Sequence, residues 1–247
     1  MHDDGYFDEH LAASYDDSSA EMFDPGIVNP VVDFLAGLAG DGRALELGIG
    51  TGRIALPLAQ RVVEVHGIEM SKAMVAQLRA KPGGDDIEVT IGDFANTKVA
   101  GTFAVAYLVF NTITNLTTQE AQTACFRNVA AHLQPGGCFV IEVVLPDLQR
   151  LPAGETIRPF RVDENRLGFD EYDVAEQGLT SHHFKLVDGK WDRFSIPSRY
   201  VWPSELDLMA ELAGMKLRER SSGWNGESFT SDSRRLVAVW EKRSDAD

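Results

Sequence analysis

Two acids and three glycines are the residues of this chain whose spacing could do chemistry. Glu46 stands two positions ahead of Gly48, Gly50 and Gly52 in the stretch Ala-Leu-Glu-Leu-Gly-Ile-Gly-Thr-Gly-Arg, which ends at Arg53. Glycine accepts a positive φ and, lacking Cβ, lets the backbone come close to a ligand. A second acid, Glu69, follows Glu46 by roughly 20 residues, the interval at which a carboxylate receives ribose hydroxyls in nucleotide-binding α/β units. Residues of these types in this order point to a ligand that carries a nucleoside.

The elements that must position them follow from the hydrophobic pattern. The acid-bearing apolar run 44–47 predicts a first strand, and a helix is expected over about 53–60, its amides and positive dipole end turned back toward the glycines. A second strand is expected over 62–68, ending at Glu69, followed by a helix capped by Ser71. Helical spacing at Ile27, Val31, Val32, Leu35 and Leu38 predicts a helix ahead of the first strand. Strands over 87–91, 103–110 and 138–145 and a helix over 118–133 continue the alternation. Residues 146–200 break it: four short segments of strand character, with Asp188-Gly189 as a hairpin turn, predict an antiparallel insertion. A helix over 204–214 and strands over 215–220 and 236–241 complete the sheet. The expected fold is therefore α/β, a Rossmann-like, seven-stranded, mostly parallel sheet with helices on both faces and an antiparallel β insertion capping the active site. Its parts are a leader over 1–26, a cofactor-binding core over 27–145, the insertion over 146–201 and a C-terminal completion over 202–247.

Composition narrows the partners. With 247 residues, 44% hydrophobic and 25% charged, the chain has the make-up of an ordinary soluble protein. No stretch nears the roughly 18 apolar residues of a membrane span. The net charge of −15 disfavours nucleic acid, whose binding relies on cations against phosphates. The opening Met1-His2-Asp3-Asp4 lacks a secretory pattern, and two cysteines, Cys125 and Cys138, require no disulfide framework, so a cytoplasmic location is expected. Oligomeric state stays open.

Spacing separates two nucleoside cofactors. The dinucleotide fingerprint Gly-x-Gly-x-x-Gly meets Arg53 where it needs its last glycine if counted from Gly48, although counted from Gly50 it ends on a tolerated Ala55. Taken with Glu46, the run reads Glu-x-Gly-x-Gly-x-Gly. It resembles the first motif of class I S-adenosylmethionine (SAM) methyltransferases, and Pro135-Gly136-Gly137 before a strand resembles the same family. The chain looks most like bacterial small-molecule methyltransferases, including those that act on amino groups of sugars and other natural products.

That resemblance implies site residues. Glu46, Gly48, Gly50, Gly52, Arg53, Glu69, Met70 and Phe110 would hold SAM, with Asp93 and Phe94 around the adenine. A leader with a Tyr-Asp pair often closes over the site in this family, which makes Tyr15 a candidate for both cofactor contact and catalysis. Tyr6 is a second candidate from the same leader. At the carboxyl end of the fourth strand, Phe110 and Asn111 should face the reaction centre. Tyr15, Tyr6 and Asn111 are thus the candidate catalytic residues, with Tyr6, Phe110, Asn111 and His182 around the acceptor. His182 and His183 are adjacent in a strand and so point to opposite faces. No His/Asp/Glu spacing suggests a metal. The implied activity is SAM-dependent methyl transfer to an amine of a small molecule, leaving S-adenosylhomocysteine (SAH). Its alternatives are an O-methyltransferase, a SAM-binding protein without transfer activity, and an NAD-linked oxidoreductase.

Overall fold

A computed structural model describes residue 7 and residues 9–244. Seven strands form one sheet in the order β3, β2, β1, β4, β5, β11, β10. These are β1 (Ala44–Leu47), β2 (Val65–Glu69), β3 (Glu88–Ile91), β4 (Phe103–Leu108), β5 (Leu133–Val144), β10 (Met215–Ser221) and β11 (Arg235–Lys242). β1, β2 and β4 are buried along their whole length, as apolar strands covered on both faces must be. Only β11 runs against its neighbours β5 and β10.

Helices supply the two covers. Val31, Val32 and Leu35 of α2 (Pro25–Ala39) and Leu58 of α3 (Ala55–Ala59) pack on one face. Phe126 and Val129 of α5 (Gln119–His132) pack on the other, with Leu206 and Met209 of α6 (Pro203–Leu212). There Trp240 of β11 meets Phe126 edge-on, with centroids 5.6 Å apart. Two further helices flank the glycine turn: α1 (Glu9–Ser18) and α4 (Lys72–Arg79), the latter capped by the Ser71 hydroxyl, which accepts from the Met74 amide at 3.1 Å.

Several boundaries differ from expectation. The helix expected over 53–60 is confined to the five residues of α3, because Gly50 and Gly52 hold left-handed φ and the chain is still turning through Ile54. β2 begins at Val65 rather than 62, because Val62 takes φ +64° just past the end of α3 and lies almost wholly in solvent. β4 ends at Leu108, short of 110, since Phe110 and Asn111 both turn left-handed. The fifth strand starts earlier than 138, at Leu133. Pro135-Gly136-Gly137 lies inside it, where the β4 pairing shifts register between Phe103 and Val105.

Val62 is a β-branched side chain in a backbone conformation that suits glycine or asparagine at helix ends. Val62→Asn is expected to stabilise the fold by about 1 kcal/mol, read as a raised denaturant midpoint at unchanged slope.

The insertion forms its own antiparallel sheet of β6 (Ile157–Val162), β7 (Arg166–Asp173), β8 (Gly178–Val187) and β9 (Lys190–Arg199). Asp188 and Gly189 join β8 to β9 with φ of +50° and +75°, as a two-residue turn with both central φ positive requires. Buried polar groups tie this sheet to the core. Arg199 at the end of β9 donates to Gln122 Oε1 of α5 at 2.5 Å and to Glu205 Oε1 of α6 at 2.7 Å. Gln122 Nε2 in turn donates to the Arg199 and Ile113 carbonyls. Burial pushes the Glu205 carboxyl up, but hydrogen bonds from Arg199, Gln177 and Gln119 outweigh it and hold it below its ordinary value.

Candidate active site

The carboxyl ends of β1 and β4 and the helix α1 border a cleft lined by Glu46, Gly48, Gly50, Thr51, Arg53, Phe110, Thr112 and Tyr15. The turn after β1 sets its floor. Gly48 has φ +68°, and a Cβ there would come within 2.8 Å of the Thr112 methyl, so only glycine keeps this wall open. The Gly48 and Ile49 amides both donate to the Ile68 carbonyl, which holds the turn against the end of β2.

Glu69, the last residue of β2, fixes the next part of the turn. Its Oε2 accepts from the Gly50 amide at 2.8 Å and its Oε1 from the Ser71 amide at 2.9 Å. Burial raises its carboxyl, opposed by the amides of Ser71, Gly50 and Met70. With three amides on it, the carboxyl keeps acceptor capacity for a ligand hydroxyl. Met70 beside it is exposed.

Glu46 lies deeper. In the parallel register it stands opposite Gly67 of β2 and Tyr107 of β4, and the Tyr107 hydroxyl donates to its Oε2 at 2.9 Å. Burial pushes the Glu46 carboxyl up to about 8, against the Tyr107 bond, the Arg53 charge and the Ala55 amide, while the Glu69 charge adds to the rise. Arg53 itself stacks its guanidinium 4.8 Å over the Phe110 ring and donates to the Met22 carbonyl at 3.3 Å.

Helix α1 brings Tyr15 to the cleft, edge-on to Phe7 with centroids 6.0 Å apart. Burial raises the Tyr15 phenol, with Arg53 lowering it and Asp16 and Glu69 raising it, so at neutral pH it is a hydroxyl. Tyr6 lies outside the described residues.

Other expected residues are placed nearby or spent elsewhere. Asp93 follows β3, whose end is held to β2 by the Gly92 amide donating to the Glu69 carbonyl at 2.9 Å. The Asp93 carboxylate accepts from the Ala95 amide at 2.8 Å, and the Phe94 ring lies beside Gly48. Asn111 is engaged at both ends of its carboxamide: Oδ1 accepts from the Val144 amide at 3.0 Å and Nδ2 donates to Thr114 at 3.3 Å. The structure thus uses it to join the ends of β4 and β5. His182 lies on the insertion sheet, apart from the cleft-lining residues, between Ser195 at 2.8 Å and Glu171 at 3.2 Å.

Sequence reasoning missed Thr51, Thr112 and Tyr107, which the structure places at the cleft or under it. Thr51 sits inside the glycine run and could have been suspected from that alone. Tyr107 meets Glu46 only through strand register, which no local pattern reveals.

Comparison with known proteins supplies the family. A methyltransferase domain family matches residues 44–137, which holds β1 through the start of β5. The CcbJ methyltransferase of Streptomyces caelestis is 34% identical, with 98% of this chain and 100% of that one aligned at a TM-score of 0.86. The chain belongs to the SAM-dependent methyltransferases. A curated relative, the cypemycin N-terminal methyltransferase of a Streptomyces species, is 26% identical over 239 residues, covering 93% of this chain and 98% of that protein. CalS10, an amino pentose methyltransferase from Micromonospora echinaspora whose structure holds SAM, shares the fold at a TM-score of 0.69 and 23% identity. That alignment covers 98% of this chain and 100% of CalS10.

The cofactor of this methyltransferase is SAM, and the residues of the cleft fit it. The Glu69 carboxyl, held against the glycine turn, is of the kind that suits ribose hydroxyls, and Gly48 leaves the space beside Thr112 and Phe94 free of a side chain. Among the described residues, no group of three or more His, Cys, Asp or Glu side chains is arranged to hold a metal ion, and no helix is long and apolar enough to cross a membrane.

Proposed function

We propose that this methyltransferase acts on an amine nitrogen of a small molecule, a natural product or its precursor, with the acceptor entering between Tyr15 and Phe110. The observation that carries this reading is the make-up of the cleft. Its described lining residues include the Tyr15 and Phe110 rings and no histidine, and their one carboxyl, Glu46, is buried and bonded to the Tyr107 hydroxyl rather than free to take a proton from an acceptor. An alcohol acceptor needs a base near the operating pH, whereas an amine needs only to arrive unprotonated. The cypemycin relative is by name an N-terminal methyltransferase, which supports nitrogen as the acceptor atom.

SAM supplies a methyl carbon on a positively charged sulfur, a good leaving group, for in-line displacement by the acceptor nitrogen. The protein's task is then alignment and exclusion of water, which can contribute on the order of 7 to 11 kcal/mol. Glu69 and the glycine turn anchor the cofactor in this reading, with Asp93 and Phe94 at its adenine end. Phe110 and Tyr15 present aromatic surface to the cation. The Tyr15 hydroxyl, held protonated by burial, can orient an amine lone pair by donation or acceptance. The insertion sheet would close the acceptor side as a cap, since Arg199 at the end of β9 is hydrogen-bonded through Gln122 to the Ile113 carbonyl beside the cleft.

The first test is calorimetry of SAH against NAD and NADP, followed by methyl transfer from labelled SAM to panels of peptide N-termini, amino sugars and alcohols. Transfer to alcohols alone would overturn the nitrogen assignment, and binding without transfer to any panel would favour a SAM-binding protein without transfer activity. For Tyr15→Phe, the expected result is about a tenfold lower kcat with SAH affinity changed less than about threefold. Equal turnover would remove the role given to the hydroxyl.

A further inference from the structure

Lys81 lies outside the cleft, yet it joins the two parts of the protein that must meet around the cofactor. Its ammonium pairs with the Asp16 carboxylate of α1 and donates to the Thr51 carbonyl of the glycine turn at 2.8 Å. The same Asp16 accepts from the Thr51 hydroxyl at 2.6 Å. Three groups therefore close a ring: helix, turn and lysine each bond to the other two. The Lys81 ammonium also stands 5.2 Å over the Phe23 ring, just beyond α1.

The lysine is presented from a stiff loop. Arg79 donates to the Gly84 carbonyl and to the Ile87 carbonyl at 2.7 Å, closing the loop that carries Lys81. Gly84 packs so tightly on α4 that a Cβ would overlap the Leu78 carbonyl oxygen at 2.0 Å. By contrast, the described residues of α1 bury few side chains completely. Ala12 is its one buried hydrophobic residue among those described. A second polar tether, the Ser71 hydroxyl donating to the Phe7 carbonyl at 2.5 Å, holds the chain ahead of α1. Polar bonds thus add to the packing of Ala12 and of the half-buried Leu11 and Tyr15 in deciding where α1 sits.

We propose that Lys81 is a positioning residue that clasps α1 to the glycine turn through Asp16 and Thr51, and so sets Tyr15 over the bound cofactor and slows its release. Tyr15 is next to Asp16 in the chain and lines the cleft, while Thr51 lies between Gly50 and Gly52. A shift of Asp16 therefore moves a wall of the site, although Lys81 itself touches no reacting group. This inference rests on SAM occupying the cleft described above.

The test is the dissociation rate of SAH from the full chain, together with amide hydrogen exchange over residues 9–23 with SAH present. Lys81→Met should speed SAH release about tenfold and raise exchange in that segment, the size expected for loss of a charge-assisted hydrogen bond. Lys81→Arg should restore the rate to within about twofold, since it keeps the charge and donors. Should Lys81→Met fold poorly, Asp16→Asn breaks the same clasp from the other side. The double variant should release SAH no faster than the worse single one, because both remove one device. Added salt should speed release in the wild type and have a smaller effect in Lys81→Met. Release at the wild-type rate in both single variants, or faster release with unchanged exchange over 9–23, would overturn the clasp. Failure of the wild type to bind SAH would instead overturn the cofactor assignment, and the clasp with it.

Discussion

Glu69→Ala is expected to weaken SAH binding by on the order of 100-fold and to cost about 2 to 4 kcal/mol of stability, because one buried and one partly buried amide lose their acceptor at once. The carboxylate at the end of β2 holds the Gly50 amide on one oxygen and the Ser71 amide on the other. Its removal therefore loosens the turn as well as deleting the group proposed to take the ribose hydroxyls. Glu69→Gln separates the two roles. The amide keeps one oxygen acceptor, so it should recover part of the stability while remaining defective in SAH affinity. Calorimetric titration with SAH and urea unfolding of the three proteins check this. Wild-type affinity in Glu69→Ala would mean that the cofactor does not reach this carboxylate.

The second large effect concerns Glu46 and pH. Burial holds its carboxyl at about 8, whereas in the unfolded chain it titrates near its ordinary 4.5. Between those values the folded protein binds a proton that the unfolded protein does not. Stability from this group is therefore fully present below pH 4.5 and is lost as pH rises through about 8. Other groups act in the same window. The buried Glu69 carboxyl is also raised, while burial lowers His66, His132 and His183, whose contribution instead is lost as pH falls below their ordinary 6.5. The informative quantity is thus the difference between wild type and Glu46→Gln, which has no carboxyl there. That difference should move by about 3 kcal/mol against the wild type between pH 5 and 7.5, measured by urea unfolding at each pH. A constant difference would show that Glu46 titrates normally in the folded protein.

The glycine turn, the two strand-end acids and the alternation of strands and helices were legible because each is a local pattern. The α2 helix shows its apolar face at helical spacing, β1 reads as a short apolar run, and Asp188-Gly189 marks its own hairpin. Even the two-sheet architecture follows from the change in rhythm after β5. Element ends were less legible. Where the helix after the glycines starts, and where β2 and β4 begin and end, depends on left-handed φ at Gly50, Gly52, Val62, Phe110 and Asn111, and only the glycines and Asn111 advertise such a conformation by residue type.

By itself, then, the sequence determined the family, the cofactor and the succession of strands and helices along the chain, since these depend on residue types at fixed short spacings. Tertiary structure decided how the site is held. The Tyr107 hydroxyl reaches Glu46 across 61 residues of sequence, Asp16 reaches Thr51 across 35, and Arg199 reaches Gln122 across 77. It also turned Asn111 into a brace between β4 and β5 and set His182 between Ser195 and Glu171 on the insertion sheet. Pairings of this kind leave no periodic trace, because they are fixed by strand register and by the way elements pack. A buried acid or arginine needs some partner. Which one it finds depends on what the fold brings within hydrogen-bonding distance.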